Sequence, residues 1–419
     1  MSKIQVDSIV NKDDTGAPDF PNGATVSGIV TATSFTGNLT GDATGLSGSP
    51  TLSGITSVST TNLTVNGNAY PNGGPLSNRN LIINGAMQVY QRSGISTNIT
   101  GYHLDRWQLG ASGGTRAVTQ ETLTTGSPYD EGFRNYFHLI NTGTATGASD
   151  NRQIIHKIEA QNVAQSGWNY TSSASSVTLS FWVRASVAQT YYVQLYAPDG
   201  TAQNYASSFS LSADTWTKVT KIIPGNSNLT FNNDNGLGLQ IIFVPFYGTN
   251  FTDSGFTTDA WNAYSGSSQI PDMTNTWAGT TNATFDITGV QLEVGSVATP
   301  FEHRSYGDEL ARCQRYFMRY THVTNGADGG IYQVAGWTNN AGYGAIRFPT
   351  TMRTGPSFSY NGGVFYTNGI VDSSITLTQL GSSVHAAEVQ VTDISISGGN
   401  AGWVRLNTSG HHMSFSAEL

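Results

Sequence analysis

Residues 177–183, Val177-Thr178-Leu179-Ser180-Phe181-Trp182-Val183, form a run of β-branched, aromatic and small hydroxyl side chains that suits a pleated strand. Comparable runs lie at 191–195, 216–222, 237–244 and 284–292, with Leu81-Ile82-Ile83 as an earlier candidate. Gly, Pro and Asn separate them, so the spacing predicts a sandwich or jelly roll. About 225 residues, 79–303, is an acceptable size for one such domain.

Composition agrees with that reading. The chain has 419 residues, 48 of them glycine, and only 11% are charged, against a typical quarter. Helix surfaces need Glu, Lys and Arg; this chain covers itself with Ser, Thr, Asn and Gly, which suit turns and strand faces. An all-β chain is expected. The net charge of −8 argues against nucleic acid, because neutralising phosphates requires clustered Lys and Arg, and it disfavours an anionic membrane surface. The most apolar window, 239–248, is half a bilayer span and contains Gln240 and Pro245, so it reads as a buried strand without membrane insertion. The first thirty residues carry no apolar leader, and no signal peptide is read. Cys313 is the one cysteine, which leaves no intrachain disulfide, so stability must come from burial or assembly.

Residues 22–69 carry one charge, Asp42, and eleven larger apolar side chains. At roughly 1–2 kcal/mol of ordering entropy per residue, against about 1.5–3 kcal/mol per buried apolar side chain, this segment cannot fold alone. It repeats loosely: Gly28-Ile29-Val30-Thr31 returns as Gly54-Ile55-Thr56-Ser57, and Asn38-Leu39-Thr40 as Asn62-Leu63-Thr64. One reading is a disordered linker. The other, which we prefer, is a shaft in which three copies of the chain pool their apolar side chains.

Residues 305–320 are the exception to the β pattern. Ser305 with Asp308 resembles a capping box, and Leu310, Cys313, Phe317 and Tyr320 follow a 3, 4, 3 spacing, which predicts a helix packed on its own domain in preference to a coiled coil. Beyond Asn325 the alternation returns at Ile375/Leu377, Val389/Val391, Ile394/Ile396, Val404/Leu406 and Met413/Phe415/Ala417, which predicts a C-terminal β-sandwich.

Two stretches, one opening on Arg79-Asn80-Leu81-Ile82 and one on Gly289-Val290-Gln291-Leu292, resemble the bracketing motifs of bacteriophage tail-fibre and virion proteins. The first runs from Arg79-Asn80-Leu81-Ile82-Ile83-Asn84-Gly85 to Gln91-Arg92, with Asp105-Arg106-Trp107 following. The second runs from Gly289-Val290-Gln291-Leu292-Glu293 through Thr299-Pro300-Phe301-Glu302 to Cys313-Gln314-Arg315-Tyr316-Phe317. In that family the bracketed region looks like a jelly roll of the carbohydrate-binding-module type. The opening, Thr15 through Gly23 and then Gly28 to Gly48, is similar to that of virion structural proteins from phages of marine cyanobacteria, which implies a peptide that docks on the particle.

The polar and aromatic side chains offer binding candidates. Asp253, Asp259 and Asp272 lie near Trp261, Tyr264 and Trp277, the constituents of a glycan-cleaving site, but Asp among Thr, Ser and Gly reads first as a turn residue. Trp261, Tyr264 and Trp277 form one candidate glycan platform; their bland role is to pin the loop 248–283 to the sandwich. Trp337, Asn339, Asn340, Tyr343, Tyr360 and Tyr366, read as turn residues of the terminal domain, are the preferred receptor-binding set. Asn232 to Gly236 reads as a hairpin turn before it reads as a calcium loop. His411 and His412, placed on a strand, would point to opposite faces. No catalytic residue, metal or cofactor is expected.

The expected architecture is therefore an all-β, fibrous, multi-domain homotrimer. It comprises a virion-attachment peptide (1–21), a β-rich repetitive shaft (22–78), a jelly roll (79–303), a helical neck (304–325) and a β-sandwich tip (326–419). The resemblance implies a non-enzymatic tail fibre, made in the host cytoplasm and carried on the virion. It would bind tail or baseplate proteins by its N-terminus and a host-surface glycan or protein by its tip. The alternatives are a purely structural virion component (capsid fibre or tail adaptor) and a glycan depolymerase.

Overall fold

The computed structural model describes residues 78–92, 96–98, 100–322, 330–367 and 369–419, with Asp13 and the backbone of a small hairpin, Leu63–Val65 against Asn68–Tyr70. The chain divides into the units Met1–Ser59 and Thr60–Leu419, and every described residue except Asp13 belongs to the second. The segments expected to be an attachment peptide and a shaft lie outside the described residues, apart from Asp13, that hairpin and Asn78.

The fold is all-β and antiparallel. One sheet orders the strands Thr217–Pro224, Ser176–Ala185, Ala283–Val294, Asn135–Asn141, Ala117–Thr122 and Ser96–Thr97. The facing sheet orders Trp261–Ala263, Gln203–Leu211, Gln189–Ala197, Leu237–Tyr247, Asn151–Glu159, Trp107–Ser112 and Gly101–Leu104. The strand runs of the sequence fall here, and the central strands are buried along nearly their whole length. Leu179, Phe181 and Val183 point inward to meet Tyr191, Val193, Ile241 and Phe243 in one core. At about 1.5–3 kcal/mol per buried large apolar side chain, this core is the main stabilising term.

Leu81-Ile82-Ile83 forms no strand, contrary to expectation. Its amides are satisfied outside any ladder: Leu81 N donates to Leu292 O, Ile82 N to Asn80 Oδ1 and Ile83 N to His156 Nε2. The two motifs that bracket the sandwich meet in space along this segment. Asn80 Oδ1 also accepts from Leu292 N (3.0 Å) while its Nδ2 donates to Val290 O, and Asn84, at φ 59°, bonds Val89 and Asp105. Gly85 passes so close to the other motif that a Cβ would stand 2.1 Å from Val290 O. The motif residues therefore tie the start of the sandwich to its last strand.

The predicted helix is shorter than its stripe. It spans Tyr306–Gln314, with Ser305 Oγ accepting from Asp308 N as the capping residues promised. Phe317 and Tyr320 belong instead to a strand, Phe317–Thr321, because His412–Ser416 offers that aromatic-rich segment a ladder partner. Cys313 remains on the helix, fully buried, and burial pushes its thiol up.

A second sandwich comes next. Three strands, Phe317–Thr321, His412–Ser416 and Ser357–Asn361, face seven ordered Ile370–Asp372, Val364–Thr367, Ala401–Arg405, Gly330–Thr338, Ala341–Arg347, Ala386–Thr392 and Thr376–Ser382. The predicted alternating residues Leu377, Val389, Val391, Ile394, Ile396, Val404, Met413 and Phe415 fill its core.

The two sandwiches share a polar seam. Glu159 accepts from Arg315 and from the Tyr316 hydroxyl, Glu418 pairs with Arg92 and Arg106, and Lys157 Nζ donates to Leu419 O at 2.7 Å. Asn235 and Arg353 exchange hydrogen bonds of 2.6 and 3.0 Å.

Candidate functional site

The site begins at a defect in a ladder. In the hairpin of Gly330–Thr338 with Ala341–Arg347, Gly336 pairs with Gly342 and Thr338 with Ala341, so Trp337 is an extra residue. A bulge of this kind re-aims a side chain. Gly336 permits it, since a Cβ there would lie 2.7 Å from Ser397 O. Trp337 is left 74% exposed, its ring meeting only the edge of Tyr343 at a centroid distance of 6.2 Å. An indole held in water forgoes the burial energy that every other described tryptophan except Trp403 largely collects.

Register shows what accompanies it. Residues directly opposite in a ladder share a face, so Val371, Tyr366, Trp403 and Gln333 form one row across the seven-stranded sheet. Ala335, Tyr343, Gln390 and Thr378 form the next row. Gln333 and Ala335 lie two apart on one strand, which puts both rows on the outer face. Trp403 is 40% exposed, with its ring beside Gly330. Tyr366 lies under the Arg405 guanidinium at 4.4 Å, and Gln390 Nε2 donates to the Tyr343 hydroxyl at 3.1 Å. The result is an open sheet face bearing Trp337, Tyr343, Trp403 and Tyr366 with amide side chains between them.

Of the residues named from sequence, Trp337, Tyr343 and Tyr366 stand on this face, although all three lie in strands and not on turns. Asn339 and Asn340 form the hairpin turn beside Trp337, with exposed side chains and with carbonyls that accept from Ile396 and Ile394. Tyr360 does not join them. It sits on the three-stranded sheet, stacked on Phe358 at 5.8 Å and partly buried against the core. Trp403 was missed, and its signal was present: it falls one residue out of phase with the inward pair Val404 and Leu406.

The alternative platform does not assemble. Trp277 is fully buried, its Nε1 donating to Thr284 O, because the short helix Thr276–Gly279 drives it into the main core. Trp261 Nε1 donates to Pro224 O and its ring packs on Tyr205. Tyr264 alone is open, paired with Tyr196 at 4.5 Å. The loop they belong to has its own small core. Phe251, Phe256, Ile270 and Met273 pack on Ile155, Tyr192, Ile242, Val244 and Tyr247, covering much of the outer face of the first sandwich's seven-stranded sheet.

The carboxylates of that loop serve turns. Asp253 accepts from Gly255 N and Ser268 Oγ, which hold it below the usual carboxylate range, and Asp272 accepts from Thr252 Oγ1 at 2.6 Å. Asp259 takes a left-handed conformation, φ 56°. In 232–236, Asp234 Oδ1 folds back onto Gly236 N in a turn. Among the described residues no three His, Cys, Asp or Glu side chains converge as metal ligands.

No family model matches the chain, and no curated protein matches it. Among solved structures, the enzymatically active domain of tailspike protein 4 from Bacteriophage CBA120 is 13% identical over 51% of this chain, with a TM-score of 0.27. This chain covers 21% of that one. The family 11 carbohydrate-binding module of a cellulosomal cellulase from Clostridium thermocellum is 11% identical, over 51% of this chain and 98% of its own, at a TM-score of 0.25. A xylan-binding domain from Paenibacillus barcinonensis is 9% identical, over 52% and 96%, also at 0.25. Likenesses at such TM-scores assign no function to this chain.

Proposed function

We propose that this chain is a virion adhesin of the tail-fibre kind, which recognises a host-surface glycan through the outer face of its C-terminal seven-stranded sheet. The observation that carries the reading is Trp337, raised on a bulge and 74% exposed beside Tyr343, with Trp403 and Tyr366 on the same face. Sugars present C–H faces that stack on indole and phenol rings, and hydroxyls that pair with amides such as Gln333, Gln390, Asn339 and Asn340. No bond is made or broken in this role.

An open face without a deep pocket binds each sugar weakly. A homotrimer would compensate, because three linked sites raise avidity without new contacts. The trimer rests on the composition of residues 22–69, and docking of the N-terminus on tail or baseplate proteins rests on the resemblance of the opening residues. The chain would be made in the host cytoplasm and act on the particle.

Acrylamide quenching of tryptophan fluorescence tests the face directly. Host-envelope polysaccharide should shield the exposed tryptophans of the full chain, and the shielding should be lost in Trp337→Ala. Equal quenching with and without polysaccharide would count against a glycan ligand.

A second reading, a structural component that binds only other virion proteins, is favoured by one feature. The edge strand Ile370–Asp372 leaves Ile370 and Val371 about half exposed, as a surface awaiting a protein neighbour does. Retention of purified protein on host cells, or its absence, separates the two readings.

A further inference from the structure

The second sandwich holds a pocket of about 390 Å³ at one end of its three-stranded sheet, lined by Arg319, Thr321, His322, Ser409, His411 and His412. The sequence suggested that adjacent histidines would point apart. Here both line the pocket, His412 from the first residue of its strand and His411 from the turn before it. His322 joins them through its amide, which donates to His411 O.

The lining holds one guanidinium and, among the described residues, no carboxylate. Arg319 donates through Nε to Ser414 Oγ at 3.0 Å and through Nη1 to Arg92 O, both neutral oxygens, and among the described residues it has no carboxylate within ion-pair distance. Burial first, and then the neighbouring Arg92, pull its pKa down against the opposing influence of Asp105. His322 Nδ1 and His411 Nδ1 are buried without a hydrogen-bond partner. His412 Nδ1 donates to Gly410 O at 3.1 Å, so its Nε2 becomes a donor to an anion once the ring takes up a second proton with the ligand. Among the described residues no acidic side chain lines the pocket, in a chain whose net charge is −8.

The larger cleft beside the helix shows the contrast. Two of its arginines are paired with carboxylates, Arg304 with Glu302 and Glu309 and Arg315 with Glu159, while Arg312, like Arg319, meets a neutral oxygen, Asn78 Oδ1. The smaller pocket adds two imidazole nitrogens, His322 Nδ1 and His411 Nδ1, that have no partner.

We propose that this pocket binds a small oxyanion, a carboxylate or phosphate group, held by Arg319 Nη2 and the histidine ring nitrogens. Guanidinium and imidazole donors around one anionic group make charge-assisted hydrogen bonds that neutral sugars cannot match. The pocket lies on the sheet opposite the aromatic face, and the inference stands whether or not the chain is an adhesin.

Calorimetric titration of the full chain at pH 7 and constant ionic strength tests it, with inorganic phosphate, glucuronate and glucose as probes. Saturable binding of phosphate or glucuronate, with no glucose binding, is expected. Phosphate alone would identify a phosphate or phosphorylated ligand, and glucuronate alone an acidic sugar. Arg319→Gln should weaken binding about tenfold or more, the loss of one charged hydrogen bond. Because Arg319 also braces Arg92, His412→Gln is the second variant, with its melting temperature checked, and it should weaken binding several-fold. No saturable anion binding by the wild type, glucose binding as tight as glucuronate, or undiminished binding by a folded His412→Gln variant would overturn the proposal.

Discussion

Arg315 grips Glu159 with both ends of its fork, Nε to Oε1 and Nη2 to Oε2, each at 2.7 Å, and the carboxylate it holds is fully buried. Glu159 closes a strand of the first sandwich, and Arg315 follows the helix that leads into the second. This pair, with Tyr316 and the Glu418 cluster, fixes one sandwich on the other.

Arg315 is 28% exposed, so water takes over part of its guanidinium when Glu159 is removed, while the buried Tyr316 hydroxyl loses its acceptor. Glu159→Ala should therefore cost about 1–3 kcal/mol, and Glu159→Gln, which keeps an acceptor for Tyr316, less. Burial raises the Glu159 pKa, but its bonds from Arg315, Tyr316 and Gln161 prevail and hold it below the usual carboxylate range. Its contribution is thus present above the unfolded-state pKa and is lost as pH falls through the folded one. Chemical denaturation of the three proteins at neutral pH measures the cost, and an alanine variant as stable as wild type would contradict it.

Asp105, in the same seam, has the opposite sign. Burial pushes its carboxyl up to about 6, despite Arg92 and the two bonds from Gln91. The folded state therefore holds this proton more tightly than the unfolded chain, and the stability it contributes is lost as pH rises from about 4 through 6. Between pH 4.5 and 7 the wild type should lose on the order of 2 kcal/mol relative to Asp105→Asn. Parallel stability curves for the two proteins would show that Asp105 does not titrate in this window.

Trp277 and Trp337 should separate packing from exposure. Trp277→Ala empties the main core and should destabilise by about 3–5 kcal/mol, whereas Trp337→Ala should stay within about 0.5 kcal/mol of wild type. Thermal unfolding of both variants decides it. A large loss at Trp337 would mean that the indole is structural after all.

The full chain should be a homotrimer at micromolar concentration, since residues 22–69 have too few apolar side chains to fold singly. Light scattering reads the mass directly. A monomer would refute the shaft and favour the linker reading.

Much of the fold was legible from β-prone runs and from alternation. The run at 177–183 became a central strand of the first sandwich, buried along nearly its whole length, and Val389, Val391 and Phe415 in the second sit inward as their alternation required. What failed were places where tertiary partners outbid local pattern. Leu81-Ile82-Ile83 reads as a strand, yet Asn80 and His156 side chains satisfy amides that a ladder would otherwise bind. Phe317 and Tyr320 fit a helical stripe, yet the edge of His412–Ser416 captured them. The candidate face was half legible. Trp337 was found by its glycine and asparagine surroundings, but the bulge that lifts it depends on register, which only the ladder with Ala341–Arg347 defines. Tyr366 and Trp403 become neighbours through pairing across 37 residues of sequence, and no local signal records that.

Adsorption to host cells is the decisive assay for recognition by this sheet face. Wild-type chain and Trp337→Ala, matched in melting temperature and in oligomeric mass, are incubated with intact cells and the bound fraction is measured. Strong adsorption by the wild type and at least a tenfold loss in the variant are expected, on the scale of about 1.4 kcal/mol or more for one aromatic contact repeated in each copy. Undiminished adsorption by Trp337→Ala would contradict glycan recognition here and move it off this sheet face.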